Sequence, residues 1–221
     1  MKAFFCPDQL LHDPQQFMRL GRLHKPTDLP DRAEALRGAL AAHGVAVAVP
    51  PELGRAPLEA VHSAAYLDFL ETAWPRWQAL DVPGVQPGPE VLPNLAPYVS
   101  GQVGTDRPPC PSPALVAQAG WYLGDLSCPI GPHTWRSVLR SAHSAAAAAD
   151  AVIAGAAQAY ALCSPRATTP TATGPAAFAT STTAPSPPRG CRPPWARWRC
   201  WTWTRTTATA RRTSSTPGVM C

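Results

Sequence analysis

At 221 residues, with 19 Lys+Arg against 14 Asp+Glu and a net charge of +5, the chain is long enough for one α/β domain with an appendage. No stretch approaches the ~20 consecutive apolar residues of a membrane span, and the apolar run Ala3–Cys6 is too short for a signal peptide, so a cytoplasmic protein without a membrane partner is expected. The basic excess is confined to residues 164–221, which hold eight Arg and no Asp, Glu or Lys. The remaining part is mildly acidic, so the charge is weak evidence that this part binds nucleic acid.

Taken in chain order, residues 3–6 form a short apolar run stopped by Pro7-Asp8, the pattern of a buried first strand. Pro30-Asp31-Arg32 opens a helix in which Ala35, Leu36, Leu40 and Ala41 recur at helical spacing, and Gly44 stands where a C-terminal cap belongs. Val45 to Val49 read as a second buried strand. A helix begins at Pro57, and from Ala64 the residues Tyr66, Leu67, Phe69, Leu70 and Trp74 make an apolar helical face. Residues 81–119, rich in Pro and Gly, are expected to be a long functional loop. Thr134 is the expected N-cap of an alanine-rich helix running to about Ile153 and closed by Gly155. Ala159 to Cys163 form the next strand, and the alternation favours a parallel sheet with helices on its faces.

Beyond Cys163 this order is lost. Residues 164–221 contain fourteen Thr and no Leu, Ile, His, Asn, Gln, Tyr or Lys, and a segment without branched aliphatics of that kind builds no core. Read by composition alone it is a disordered tail. Trp195, Arg197, Trp198, Arg199, Trp201 and Trp203 offer the alternative of a non-enzymatic binding or structural protein with a basic nucleic-acid-binding tail. The seven cysteines, at 6, 110, 128, 163, 191, 200 and 221, include no C-x-x-C pair, so they indicate neither a zinc ribbon nor a disulfide framework.

Several motifs in the first part carry a resemblance. They are Gly120-Trp121-Tyr122, Asp125, Cys128-Pro129-Ile130, Thr134-Trp135, Ser141-Ala142 through Ala149-Asp150-Ala151-Val152, and Ala159-Tyr160-Ala161-Leu162-Cys163. Earlier landmarks are His12, Gly21, Pro30-Asp31-Arg32 and His62-x-x-x-Tyr66-Leu67-x-Phe69-Leu70. In this order they resemble the zinc-dependent histone deacetylase/acetylpolyamine amidohydrolase family. The resemblance covers residues 1–163 and implies the N-terminal part of an arginase-like α/β fold with one parallel eight-stranded sheet, of which about three strands are expected here. Domain organisation is therefore read as a truncated deacetylase-family domain over 1–163 and a tail without a fold over 164–221.

In that family a Pro-Pro-Gly-His-His turn follows the Ala-Leu-Cys strand, and its histidines act on the attacking water. A later Leu-Asp-x-Asp-x-His-His-Gly-Asn-Gly strand supplies an aspartate and a histidine to zinc, and a second aspartate and a tyrosine lie beyond it. This chain instead has Ser164-Pro165-Arg166-Ala167-Thr168-Thr169 after Cys163. Joining the last base of each codon to the first two of the next restores the family pattern. Ala167-Thr168-Thr169 then gives two NAC codons, which permit His-His. Cys200-Trp201 gives YTG, which is Leu, while Trp201-Thr202 and Trp203-Thr204 each give GAC, which is Asp. Thr202-Trp203 gives NTG, an apolar codon, and the following codons permit x-His-His-Gly-Asn-Gly. Leu-Asp-apolar-Asp is thus nearly forced, because tryptophan has a single codon. The tail reads as the family's active-site strands out of frame.

On this reading the family's His-His pair falls at Thr168 and Thr169, and its zinc Asp and His fall at Thr204 and Thr206. Hydroxyls are poor zinc ligands, so zinc belongs to the intact family and none is expected for the chain as written. Nor is deacetylation, although the resemblance implies acetylated polyamine or acetyl-lysine as substrate. A homo-oligomer is left open, and nucleic acid is not expected as a partner. Asp125 is placed by the resemblance at the substrate rim, with loop capping as the competing role. His12, His24, His62 and His143 read as isolated histidines, and Tyr66, Phe69, Trp74 and Trp135 as packing aromatics. A sheet that stopped at residue 163 would expose an apolar edge and leave too little sheet to cover the helices near 64–80 and 134–153. Resequencing the gene through codons 160–170 is expected to show that one restored base opens a frame running past codon 221, with the second zinc aspartate and the tyrosine in it. An early stop in that frame would contradict the frame-slip reading.

Overall fold

The computed structural model describes residues 1–26, 29–60, 62–84, 86–93, 108–123 and 129–163. Its centre is a parallel sheet of β1 (Lys2–Phe4), β4 (Val47–Ala48) and β5 (Ala159–Ala161), in the order β4-β1-β5. Ala3 stands opposite Val47 on one side and opposite Tyr160 on the other. The three expected strands are thus present and parallel, but shorter than their apolar runs. Only two residues of the 45–49 run pair, and Val49 is 60% exposed rather than buried. β4 is an edge strand among the described residues.

Side-chain alternation along the strands divides the layers. Phe5 and Leu162 turn to one face, where they join Ala33, Leu36 and Leu40 of α1 (Pro30–Ala42) in a compact apolar cluster. The other face carries α5 (Thr134–Ile153), whose residues reach Cys6 and Cys163. Both helices close as the sequence indicates. Gly44 and Gly155 have φ of +67° and +98°, and the amides that follow, Val45 and Ala156, donate back to Leu40 and Ala151. This is the Schellman arrangement, which uses the left-handed conformation that glycine adopts at least cost.

Thr134 does not cap α5. His133 holds the cap position without a side-chain cap, and Thr134 is the first helical residue. Its hydroxyl oxygen instead accepts from the Gly131 amide at 2.8 Å and lies 2.9 Å from His12 Nδ1. The hydroxyl is thus spent on tying the preceding loop and the N-terminal segment to the helix start.

The expected long loop over 81–119 is interrupted by α4 (Leu115–Tyr122). Together with the short α2 (Ala56–Glu59), this helix corrects the expectation that the apolar face after Ala64 would lack cover. In α3 (Ala64–Gln78), Tyr66, Leu67, Phe69, Leu70 and Ala73 are buried against Leu58, Leu115, Ala119, Tyr122, Val138 and a bridge between Val91 and Ile130. The face is satisfied by helices rather than by the sheet. Ser63 caps α3, its side chain accepting from the Tyr66 amide. The Trp77 and Trp74 indoles donate to the carbonyls of Gly88 and Pro89, fixing part of the Pro-rich segment. Residues 94–107 lie outside the described residues.

A hairpin of β2 (Phe17–Arg19) and β3 (Arg22–His24) was not indicated by the sequence. Its turn residues Leu20 and Gly21 both have positive φ, 51° and 72°, as a two-residue type I′ turn requires. Among the described residues, no helix is long and apolar enough to cross a membrane.

Candidate functional site

In open parallel sheets, ligand-handling loops leave the carboxyl ends of the strands. Here those ends are Phe5-Cys6-Pro7 after β1, Val49-Pro50 after β4 and Leu162-Cys163 after β5. α5 fixes their positions through a polar stripe of Arg136, Ser137, Arg140, His143 and Ser144, which lie on one face because they recur at three- and four-residue spacing.

Arg140 is the centre of that stripe and only 7% exposed. Its Nε donates to Cys6 Sγ at 3.1 Å, its Nη2 to the Pro50 carbonyl at 3.3 Å and its Nη1 to His143 Nδ1 at 3.1 Å. Glu52 Oε1 lies 3.3 Å from Nη1. His143 Nε2 donates to the Gly54 carbonyl at 2.8 Å. A carbonyl only accepts and a guanidinium only donates, so the His143 proton sits on Nε2. Nearby, Ser137 donates to the Asp8 carbonyl, Gln9 donates to Ser144 Oγ, and Arg136 grips the Asp8 carboxylate at 3.1 Å. The loops after β1 and β4 are thereby held to one helix.

A second polar knot lies at the start of α5. The Glu90 carboxylate, 5% exposed, accepts from the backbone amides of Gln15 and Gln16 at 3.0 and 3.1 Å. Burial pushes the Glu90 carboxyl above the usual carboxylate range, the two amides pull it down, and Asp13 adds a like charge that raises it.

The site positions read from the sequence, Thr168, Thr169, Thr204 and Thr206, lie outside the described residues, as does Asp125. Cys163, the last described residue before them, stands just past β5 on the α5 side, its thiol donating to the Ser141 carbonyl at 3.6 Å. Burial pushes the Cys163 thiol upward. The four histidines that the sequence reads as isolated are dispersed. His12 pairs with Thr134, His143 with Arg140 and Gly54, His24 stacks near Phe17, and His62 lies against Tyr66, where burial lowers its pKa. Tyr66 and Phe69 are core residues, and Trp74 and Trp135 pack at its margin, as expected of packing aromatics.

Among the described residues, no three His, Cys, Asp or Glu side chains are arranged to hold a metal ion. All six histidines precede residue 144, and the positions that the sequence reading expects for ligands, Thr204 and Thr206, carry neutral hydroxyls. The buried polar stripe of α5 escaped the sequence reading, although the spacing of Arg136, Arg140, His143 and Ser144 was its available signal.

Comparison with known proteins places this geometry. Residues 25–167 match the histone deacetylase domain. The chain is 42% identical over 165 residues to an acetylpolyamine amidohydrolase of Burkholderia pseudomallei (strain 1710b), a match covering 75% of this chain and 45% of that protein. It is 33% identical over 168 residues to an acetylpolyamine amidohydrolase of Mycoplana ramosa, covering 75% and 46% respectively. The crystal structure of acetylpolyamine aminohydrolase from Burkholderia pseudomallei superposes with a TM-score of 0.65 at 41% identity, covering 75% of this chain and 45% of that one. The chain thus spans less than half the length of these relatives.

Glu90 generates a prediction. Its folded pKa is raised, so the folded chain binds this proton more tightly than the unfolded chain does. Its stabilising contribution is therefore present below the ordinary glutamate value of about 4.3 and is lost as pH rises through the folded value. Relative to the parent, Glu90→Gln is expected to become progressively more stable in urea unfolding as pH is raised from about 4 to 7. A stability difference independent of pH would contradict this reading.

Proposed function

This chain belongs to the histone deacetylase domain family, and from that premise we propose that it carries the family's deacetylase scaffold through Cys163 and then leaves the family's reading frame. The intact frame would encode a zinc-dependent amidohydrolase that removes acetyl groups from acetylpolyamines or acetyl-lysine. Similarity to acetylpolyamine amidohydrolases supports the polyamine branch. The chain as written does not perform this reaction.

The observation that carries the proposal is a coincidence of boundaries. The family match ends at residue 167, four residues after Cys163, where the codons begin to restore the family motif only when shifted by one base. Divergence under selection for a different tail would have no reason to preserve Leu-Asp-apolar-Asp in another frame.

The chemical consequence follows from the residues. Amide hydrolysis of this kind needs an activated water, a Lewis acid at the carbonyl and a group that moves protons. Thr168 and Thr169 stand in the place of the proton-handling histidines, and neither hydroxyl takes up a proton near neutral pH. Thr204 and Thr206 stand in the place of an aspartate and a histidine that zinc requires. The α5 stripe still holds the strand ends, so a scaffold for the site is retained without its reactive groups.

The 221-residue chain, purified as written, is expected to hold no stoichiometric zinc and to release no acetate from acetylputrescine or an acetyl-lysine peptide. The frame-restored protein should do both. About one tightly held zinc per chain in the unrestored protein, lost on chelation, would contradict the proposal.

A further inference from the structure

We propose that Cys6 and Cys163 form a redox pair, which a hydroperoxide converts into one intrachain disulfide across the carboxyl ends of β1 and β5.

Register brings the two cysteines together. β1 and β5 pair in parallel with Lys2 opposite Ala159 and Phe4 opposite Ala161. The ladder continues at least one step further, because the Leu162 amide donates to the Phe4 carbonyl at 3.0 Å. Continued by two residues, the same register sets Cys163 opposite Cys6. Neighbouring strands lie about 4.8 Å apart, within the Cα separations of roughly 4.4–6.8 Å that a disulfide spans.

Side-chain direction agrees independently. Phe5 and Leu162 share the α1 face of the sheet, so Cys6 and Cys163 share the opposite face. Both sulfurs touch consecutive residues of α5 there, Cys6 Sγ accepting from Arg140 Nε and the Cys163 thiol donating to the Ser141 carbonyl. Forming the bond requires rotation of both side chains away from these partners.

The roles of the two sulfurs differ. We assign the first oxidation to Cys6, whose sulfur accepts from the Arg140 guanidinium. Cys163, whose thiol donates to the Ser141 carbonyl on the same face, resolves the product. In balanced form, the Cys6 sulfur attacks one peroxide oxygen, the O–O bond breaks, and the thiol proton leaves with the alcohol or water. Cys6 is then a sulfenic acid. The Cys163 sulfur attacks Cys6, the S–O bond breaks, and water departs with the Cys163 proton. Two thiols and one hydroperoxide yield a disulfide, one alcohol or water, and one further water.

The product would clamp the strand ends from which the loops after β1 and β5 leave, and it would take Cys6 away from Arg140. The oxidant must be small, because Cys6 is 4% exposed, so hydrogen peroxide is the probe.

The test treats the purified 221-residue chain with hydrogen peroxide, folded and, in parallel, denatured in urea, and maps disulfides by peptide mass spectrometry. The folded chain is expected to lose the thiols of Cys6 and Cys163 together and to give a peptide linking them in large excess over its yield from the denatured chain. Cys163→Ser should stop at a sulfenic acid on Cys6 that dimedone traps, and Cys6→Ser should abolish the link. If Cys163→Ser fails to fold, the comparison of folded and denatured parent chain still decides. Cys6 and Cys163 remaining free, pairing with other cysteines, or linking equally in both conditions would overturn the proposal.

Discussion

The buried guanidinium of Arg140 is the interaction on which the described architecture turns. Removing such a charge from water costs several kcal/mol unless its donors are matched. Arg140 meets that condition with a thiol, a carbonyl, an imidazole and a carboxylate, drawn from the loops after β1 and β4 and from its own helix. The fork geometry matters as much as the charge, since its N–H groups point in fixed directions. A lysine would supply the charge but could not hold Cys6, Pro50 and His143 at once. The exposed pair of Arg136 with Asp8, by contrast, contributes about 0–1 kcal/mol at most, and chiefly orients the chain after β1.

From that clamp the arrangement of the strand ends follows. α5 lies on one face of the sheet and α1 on the other, and the apolar contacts of Phe5, Leu162, Ala33 and Leu36 fix the second layer. The helices α3 and α4 form a separate apolar body beside the sheet, joined to it through Val138 of α5. The carboxyl ends of the strands are thus set by buried polar contacts and not by apolar packing alone. A site placed at those ends inherits its position from α5.

Much of this was legible in the sequence, and the exceptions have physical causes. Helices α1 and α5 were readable because Pro30, Gly44 and Gly155 are backbone signals that depend on no tertiary context. The three sheet strands were readable as apolar runs, but their pairing lengths were not, because pairing depends on neighbours. The β2–β3 hairpin was hidden by Leu20, an exposed leucine in a left-handed conformation that sequence rules reserve for Gly, Asn or Asp. α4 was masked by the prolines around it, and the role of Thr134 by its position, which suits a cap that the backbone does not make. The Arg140–His143 network was missed although its helical spacing was visible, because polar side chains on an alanine-rich helix read as its solvated face. The positions proposed for the catalytic groups rest only on the family resemblance and the codon pattern, since Thr168, Thr169, Thr204 and Thr206 have no chemistry that would single them out. On the proposed reading fold and function separate in this chain: the scaffold is carried by residues up to Cys163, whereas the reaction depends on side chains that the written frame does not supply.

The central claim, that the tail beyond Cys163 is the family's active-site sequence read one base out of frame, is tested most directly by the nucleotide sequence under the tail. The account predicts cytosine as the third base of the codons for Ala167, Thr168, Arg205 and Thr206, so that the shifted frame reads His-His at both places. Other bases at those positions would contradict the account.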